Sequence, residues 1–146
     1  MSLANRALLL GFSALGMAIA GYLTAVQVHA APVWDPVFGN GSVAVLFSTF
    51  SRALPIPDAG LGLAAYALEF VLTCLGGAAR WRTHRRLVLF SGALIAGLGV
   101  GSLALVALQA VVVRAWCLLC LASAAVSWTI GILAAPEVWK AWRQTD

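Results

Sequence analysis

Four stretches of this chain run for about twenty residues or more with almost no charge: Ala7 to Trp34, Ala59 to Ala79 broken only by Glu69, Leu87 to Val113, and Ala115 to Ala135. That feature constrains the fold more than any other. An α-helix rising about 1.5 Å per residue needs roughly 20 apolar residues to cross a hydrocarbon core of about 30 Å, and inside lipid a helix satisfies its own backbone hydrogen bonds. A transmembrane barrel would instead show segments of about ten alternating residues, and none stand out. With 62% of residues hydrophobic and only 10% charged, the chain cannot coat a water-exposed sphere. The expected fold is all-α: an integral membrane four-helix bundle forming a single domain over 1–146, with spans near 7–29, 59–79, 87–113 and 115–135 and an outer loop over 30–57.

The charges that do occur indicate direction. Arg80, Arg82, Arg85 and Arg86 crowd the connection between the second and third runs, Lys140 and Arg143 lie in the tail, and Arg6 is in the head. The positive-inside rule turns these three regions toward the cytoplasm. The loop over 30–57 carries Arg52 and Asp35, with Asp58 following, and the last connection carries only Arg114, so both face outward. A plasma membrane protein, in bacteria the inner membrane, with both termini cytoplasmic is expected. A rival reading makes the head a signal peptide cut near Val28-His29-Ala30, but a secretory core is roughly 7 to 15 residues and this run is longer. The net charge of +4 forms no basic patch with interleaved aromatics, which argues against a nucleic-acid partner; membrane lipid is the partner that composition implies.

Of three cysteines, Cys117 and Cys120 form the sequence Cys117-Leu118-Leu119-Cys120 at the start of the last run. Residues three apart share a helix face, so the two sulfurs can approach bonding distance. The opening turn of a helix also presents free N–H groups and a positive dipole end that favour a thiolate. Thiol–disulfide chemistry at the outer surface is the functional reading, with Cys117 and Cys120 as catalytic residues; two small packing residues at a chance spacing is the bland one. Metal binding is not expected, because beyond the pair only His29, His84 and Cys74 remain as soft ligands and a zinc site needs four. Cys74, about fifteen residues inward from Ala59, reads as a buried structural thiol. Glu69 must repay its burial in lipid, through Gln109 or Thr73, by staying protonated, or by handling protons.

In the outer loop, Val43, Leu46, Phe47, Phe50 and Leu54 recur at helical spacing, predicting an amphipathic segment capped by Ser42 and stopped by Pro55 and Pro57. Such a helix would either roof a pocket or anchor the loop at the interface. Four local patterns now fall into register: Gly21-Tyr22-Leu23-Thr24, Gly41-Ser42 with Val45 and Ser48, Ile56-Pro57 with Gly62 and Tyr66, and Cys117-Leu118-Leu119-Cys120. Together they resemble the vitamin K epoxide reductase family over nearly the whole chain. The resemblance implies a four-helix bundle around a quinone (ubiquinone or menaquinone), capped on the outside by a half-helix. It implies that the Cys117/Cys120 pair passes electrons to the quinone and supplies disulfides to a thioredoxin-like exported protein, with Ser48 and Tyr66 shaping the quinone pocket.

One departure is plain. The family usually carries two more cysteines in the outer loop, and the matching places here are Ser42 and a position near Trp34; no cysteine precedes Cys74. Serine cannot form a disulfide, so the usual relay cannot run inside this chain. An incoming dithiol would then attack the pair directly, another polypeptide would supply the missing cysteines, or the thiol chemistry is lost. One dithiol suffices for a two-electron transfer, which favours retained chemistry. The competing class is a non-enzymatic relative binding quinone or lipid, or a structural membrane subunit.

Overall fold

The structure, a computed structural model, describes residues 2–75, 77 and 79–144. All regular structure among them is helical. The elements are α1 (Leu3–Gln27), α2 (Asn40–Leu46), α3 (Asp58–Cys74), α4 (Arg80–Thr83), α5 (Arg85–Leu108), a π-helical turn (Gln109–Val113) and α6 (Leu118–Arg143). Each of the four long helices packs on two others, so that α1, α3, α5 and α6 close a ring, with the α1–α3 interface the most extensive.

Three helices among the described residues are long and apolar enough to cross a membrane: Leu3–Gln27, Arg85–Val113 and Leu118–Arg143. Their outward faces are oily, with Val100 69% and Ile132 75% exposed, as suits helices surrounded by lipid rather than water. At 17 residues, α3 spans roughly 25 Å at helical rise. It ends at Cys74, with Leu75 extended, whereas the sequence pointed to a run through Ala79; residues 76 and 78 lie outside the described residues. Span four departs the other way, continuing eight residues past Ala135 to Arg143 with Pro136 inside the helix.

Packing depends on close approach at the centre. Leu9, Ala20, Tyr66, Ile95, Val126, Ile130 and Ala134 form the main buried cluster. Gly16 of α1 lies against the Tyr66 ring so tightly that a Cβ there would come 2.5 Å from Cε1. A second cluster, at the end of the bundle that carries the 30–57 loop (the outer end of the expected topology, the opposite end being the inner one), joins Leu23, Val26, Leu46 and Cys117.

The inner end is held by buried polar groups. Arg80 is 2% exposed and grips Glu137 of α6 with two bonds, Nε to Oε1 and Nη2 to Oε2, both 3.0 Å, while Nη1 donates to the Leu72 carbonyl at 2.8 Å. Arg6 donates to the carbonyls of Thr73 and Cys74 at the end of α3, groups that a helix terminus otherwise leaves without partners. Arg80, which the sequence offers only as a topology signal, is therefore also a structural tie.

Candidate functional site

The Cys117–Cys120 pair sits where α6 begins. Cys117 is the extended residue before the helix and Leu118 is its first helical residue. The Cys117 Sγ accepts the Cys120 N–H at 3.3 Å. The two cysteines are joined as a disulfide with a Cα separation of 5.2 Å. Arg114, in the left-handed region at φ 54°, reverses the chain out of the π-helical turn. Gln109, first in that turn and buried, accepts the Cys117 N–H on Oε1 at 3.2 Å. A π-helical turn inside a long helix often lies at a functional site; here it brings a side-chain acceptor to the backbone of the first cysteine.

Beside the pair opens a largely apolar cavity of about 110 Å³, smaller than the roughly 300–1,000 Å³ of typical small-molecule sites. Cys120 is in its wall, with Leu105, Leu108 and Gln109 on one side and Ala20 and Gly62 on the other. The outer loop contributes Val45, Leu46, Ser48 and Phe50. The two sulfurs differ in surroundings: Cys117 is fully buried, whereas Cys120 is partly exposed.

Ser48 thus lies on the cavity. Tyr66 lies one layer deeper, 1% exposed; its hydroxyl donates to the Ser123 carbonyl at 2.8 Å and pairs with Ser127 Oγ at 2.6 Å. It lines an adjoining space that shares Ser102, Leu105 and Ser123 with the first. Glu69 is not at this end. It is fully buried and accepts from Ser91 Oγ on both oxygens (2.9 and 2.8 Å) and from Thr73 Oγ1 at 3.1 Å. Thr73 is therefore one of its partners, and Gln109 is engaged at the opposite end of the bundle. Cys74 is exposed, not buried: it is the last residue of α3, and Leu75 after it is extended.

The loop departs from its expected form. The helix runs only over Asn40–Leu46, because beyond it Ser48 Oγ takes the Ser51 N–H at 3.3 Å, a local side-chain bond that competes with helix continuation. Val43, Phe50 and Leu54 are exposed while Leu46 is buried, so the expected apolar stripe does not form one face. Gly39, not Ser42, is the residue before the helix; Ser42 instead gives its hydroxyl to Asp35.

Two polar knots fasten this loop, and neither has a local signature in the sequence. In one, Gln27 Nε2 donates to the Leu46 carbonyl, to Ser51 Oγ at 2.6 Å and to Asp58, and Ser51 donates to Asp58 at 2.8 Å. In the other, Asp35 accepts the N–H groups of Val37 (2.9 Å), Phe38 (2.7 Å) and Leu118 (3.0 Å) as well as the Ser42 hydroxyl. Partial burial pushes the Asp35 carboxyl up, but the bonds from Phe38, Ser42, Leu118 and Val37 together outweigh it and hold the group well below the usual carboxylate range. A lone acidic residue in a loop reads as solvated, and no spacing signal connects it to a donor 83 positions away.

A family model described as the vitamin K epoxide reductase family matches residues 7–135. No curated protein matches the chain.

Proposed function

The chain belongs to the vitamin K epoxide reductase family, whose members are membrane thiol–disulfide oxidoreductases that use a quinone as electron partner and generally work with thioredoxin-like proteins; from that premise we propose that this protein oxidises an incoming dithiol through Cys117 and Cys120 and reduces ubiquinone or menaquinone. The observation that carries the reading is a disulfide at the start of α6 with one of its sulfurs, that of Cys120, in the wall of an apolar cavity.

The chemistry balances with these two residues alone. A thiolate of the incoming dithiol attacks one sulfur and the Cys117–Cys120 bond breaks; the second incoming thiol then displaces the mixed disulfide. The substrate leaves oxidised and the pair is left as two thiols. Re-forming their bond releases two electrons and two protons, and a bound quinone is an acceptor for both. Cys120 is the sulfur suited to face the ring and Cys117 the one suited to exchange with the incoming dithiol. The cavity's chemistry fits such a ligand: apolar side chains for the ring and tail, with few polar groups, Ser48 and Gln109 among them. Tyr66 braces Ser123 behind that wall. For Glu69 the geometry favours interhelical fastening over proton handling, since Ser91 and Thr73 already occupy its oxygens.

We further propose a single domain in which α3 also spans the membrane, beside α1, α5 and α6, both termini lie in the cytoplasm of a bacterial cell, and the dithiol belongs to an exported thioredoxin-like protein. With no loop cysteines, that dithiol reaches the pair directly. The second reading, a quinone- or lipid-binding relative without turnover, draws on the complete burial of Cys117. Purified protein in detergent with a small dithiol and a soluble quinone separates the two. Dithiol oxidation matched by loss of quinone, abolished in C117A, supports the enzyme; a rate unchanged in C117A removes it.

A further inference from the structure

The sulfur to which the reading above gives thiol exchange is sealed. Cys117 is fully buried, in a cluster with Leu23, Val26 and Leu46 against which Tyr22, Val33, Val45 and Phe47 also pack. The cover comes from α1 on one hand and from the outer loop with α2 on the other, and the loop has no cysteine to tie it down. Besides the Gln27–Ser51–Asp58 knot, the loop and α2 are tied beside the disulfide through one carboxylate, that of Asp35. One oxygen of Asp35 takes the N–H groups of Val37 and Phe38 and so shapes its own turn. The other takes the Ser42 hydroxyl from α2 and the Leu118 N–H from α6. Leu118 is the residue after Cys117, and as the first of its helix it has no intrahelical partner for that N–H. Three segments thus converge on a single side chain next to the disulfide. The fit is close: a Cβ on Gly41 would come 2.6 Å from the Trp116 carbonyl.

We propose that Asp35 is a positioning residue of thiol exchange, a latch that holds the loop across the first turn of α6, seals Cys117, and must release before an external thiol can reach that sulfur. The inference rests on the thiol–disulfide reading above, yet it concerns which sulfur is reachable and not whether electrons go to quinone. Charge-assisted bonds carry the latch, and such bonds are roughly twice as strong as neutral ones. The amide of asparagine offers one accepting oxygen where the carboxylate offers two, so D35N loses either its own turn or its grip on Ser42 and Leu118. A glutamate keeps both oxygens and the charge.

The test uses the full chain in membranes, reduced with a permeant dithiol that is then removed, and pulsed at neutral pH from the outer side with an impermeant maleimide. Modified cysteines are identified by peptide mass. Cys117 in D35N should react about tenfold faster than in the wild-type chain, the order expected when a charge-assisted contact holding a closed state is lost, and D35E should return the rate close to wild type. Equal Cys117 rates in wild type and D35N overturn the proposal, as does a D35E protein as reactive as D35N. If D35N lowers the melting temperature in detergent, S42A decides. It leaves Asp35 on Leu118 and removes only the carboxylate's hold on α2, so a severalfold rise in Cys117 labelling supports the latch and no rise overturns it. None of these readouts requires quinone or turnover, so a failed latch and a failed oxidoreductase reading are told apart.

Discussion

The two ends of the bundle are both fastened by buried polar groups, but they fasten different things. At the inner end, Arg80 bonds Glu137 on α6 and the carbonyl of Leu72 on α3, and Glu69 on α3 bonds Ser91 on α5. Those contacts join helix to helix. At the outer end, Gln27 and Asp58 hold Ser51, and Asp35 holds Ser42 and Leu118. Those contacts join a loop to helix ends. Moving an inner contact means parting packed helices, whereas an outer one can open while the frame stays closed. The disulfide, the cavity and the π-helical turn all sit at the end that can open. The division teaches that stability and chemistry are kept by separate polar groups in a chain with few of them to spend.

The sharpest consequence is that outer substitutions should remove activity without loosening the frame. In C120A, dithiol oxidation should fall to background, because a single thiol cannot close an intramolecular disulfide. Its melting temperature in detergent under reducing conditions should stay within a few degrees of wild type. A large drop in that temperature would mean that the pair holds the bundle together, and the division between ends would break. The inner counterpart is E137A. It leaves the Arg80 guanidinium buried without its carboxylate, a loss of about 3–5 kcal/mol where such pairs have been broken. A chain that melts as before would show that Arg80 finds another partner, and that the inner end is less rigid than its geometry implies.

How far the sequence revealed this arrangement depended on whether the signal was local. Helix length and hydropathy are local, and so is the Cys117/Cys120 spacing, which placed the pair on the first turn of the last helix. Asp35 and Arg80 carried no such signal. Each looked like an ordinary exposed charge, and each derives its role from a partner brought close only by the fold, Leu118 for one and Glu137 for the other. The loop helix shows a different limit. Residues 43–54 have the right period, but Ser48 offered its hydroxyl to the backbone and the helix stopped at Leu46. The end of α3 is a further limit: apolar composition continues past Cys74 although the helix does not, and Cys74, which its depth from Ala59 predicts to be buried, is exposed.

Between the two ends lies the α1–α3 contact, and a substitution there measures how well the frame transmits strain. In G16A the new methyl would meet the Tyr66 ring at 2.5 to 2.8 Å. The ring cannot withdraw freely, since its hydroxyl is bonded to Ser123 and Ser127 on α6. Overpacking of this kind costs about 1–3 kcal/mol, read as a lower melting temperature. If the ring moves instead, Ser123 moves with it, and Ser123 also lines the cavity beside Cys120. A rise in the KM for quinone with little loss of stability would then show that the middle of the bundle yields toward the outer end.

The smallest effect expected is confined to the loop and appears only in acid. Because the Asp35 carboxyl is held below its ordinary value of 3.8 by the bonds it accepts, the ionised group favours the closed loop. That contribution is complete above the ordinary value and declines as pH falls below it toward the folded value. Amide hydrogen exchange of Val37, Phe38 and Leu118, corrected for intrinsic rates, should therefore show constant protection from neutral pH down to about 3.8 and weakening protection below. Amides of α1 and α6 near the inner end should be unaffected by this group over the same window. In D35N the three amides should be less protected at neutral pH and should lose that acid dependence. Protection that fades well above 3.8 would assign the loop's stability to some other titrating group, and protection identical in D35N would show that apolar packing around Leu46 keeps the outer end shut without the carboxylate.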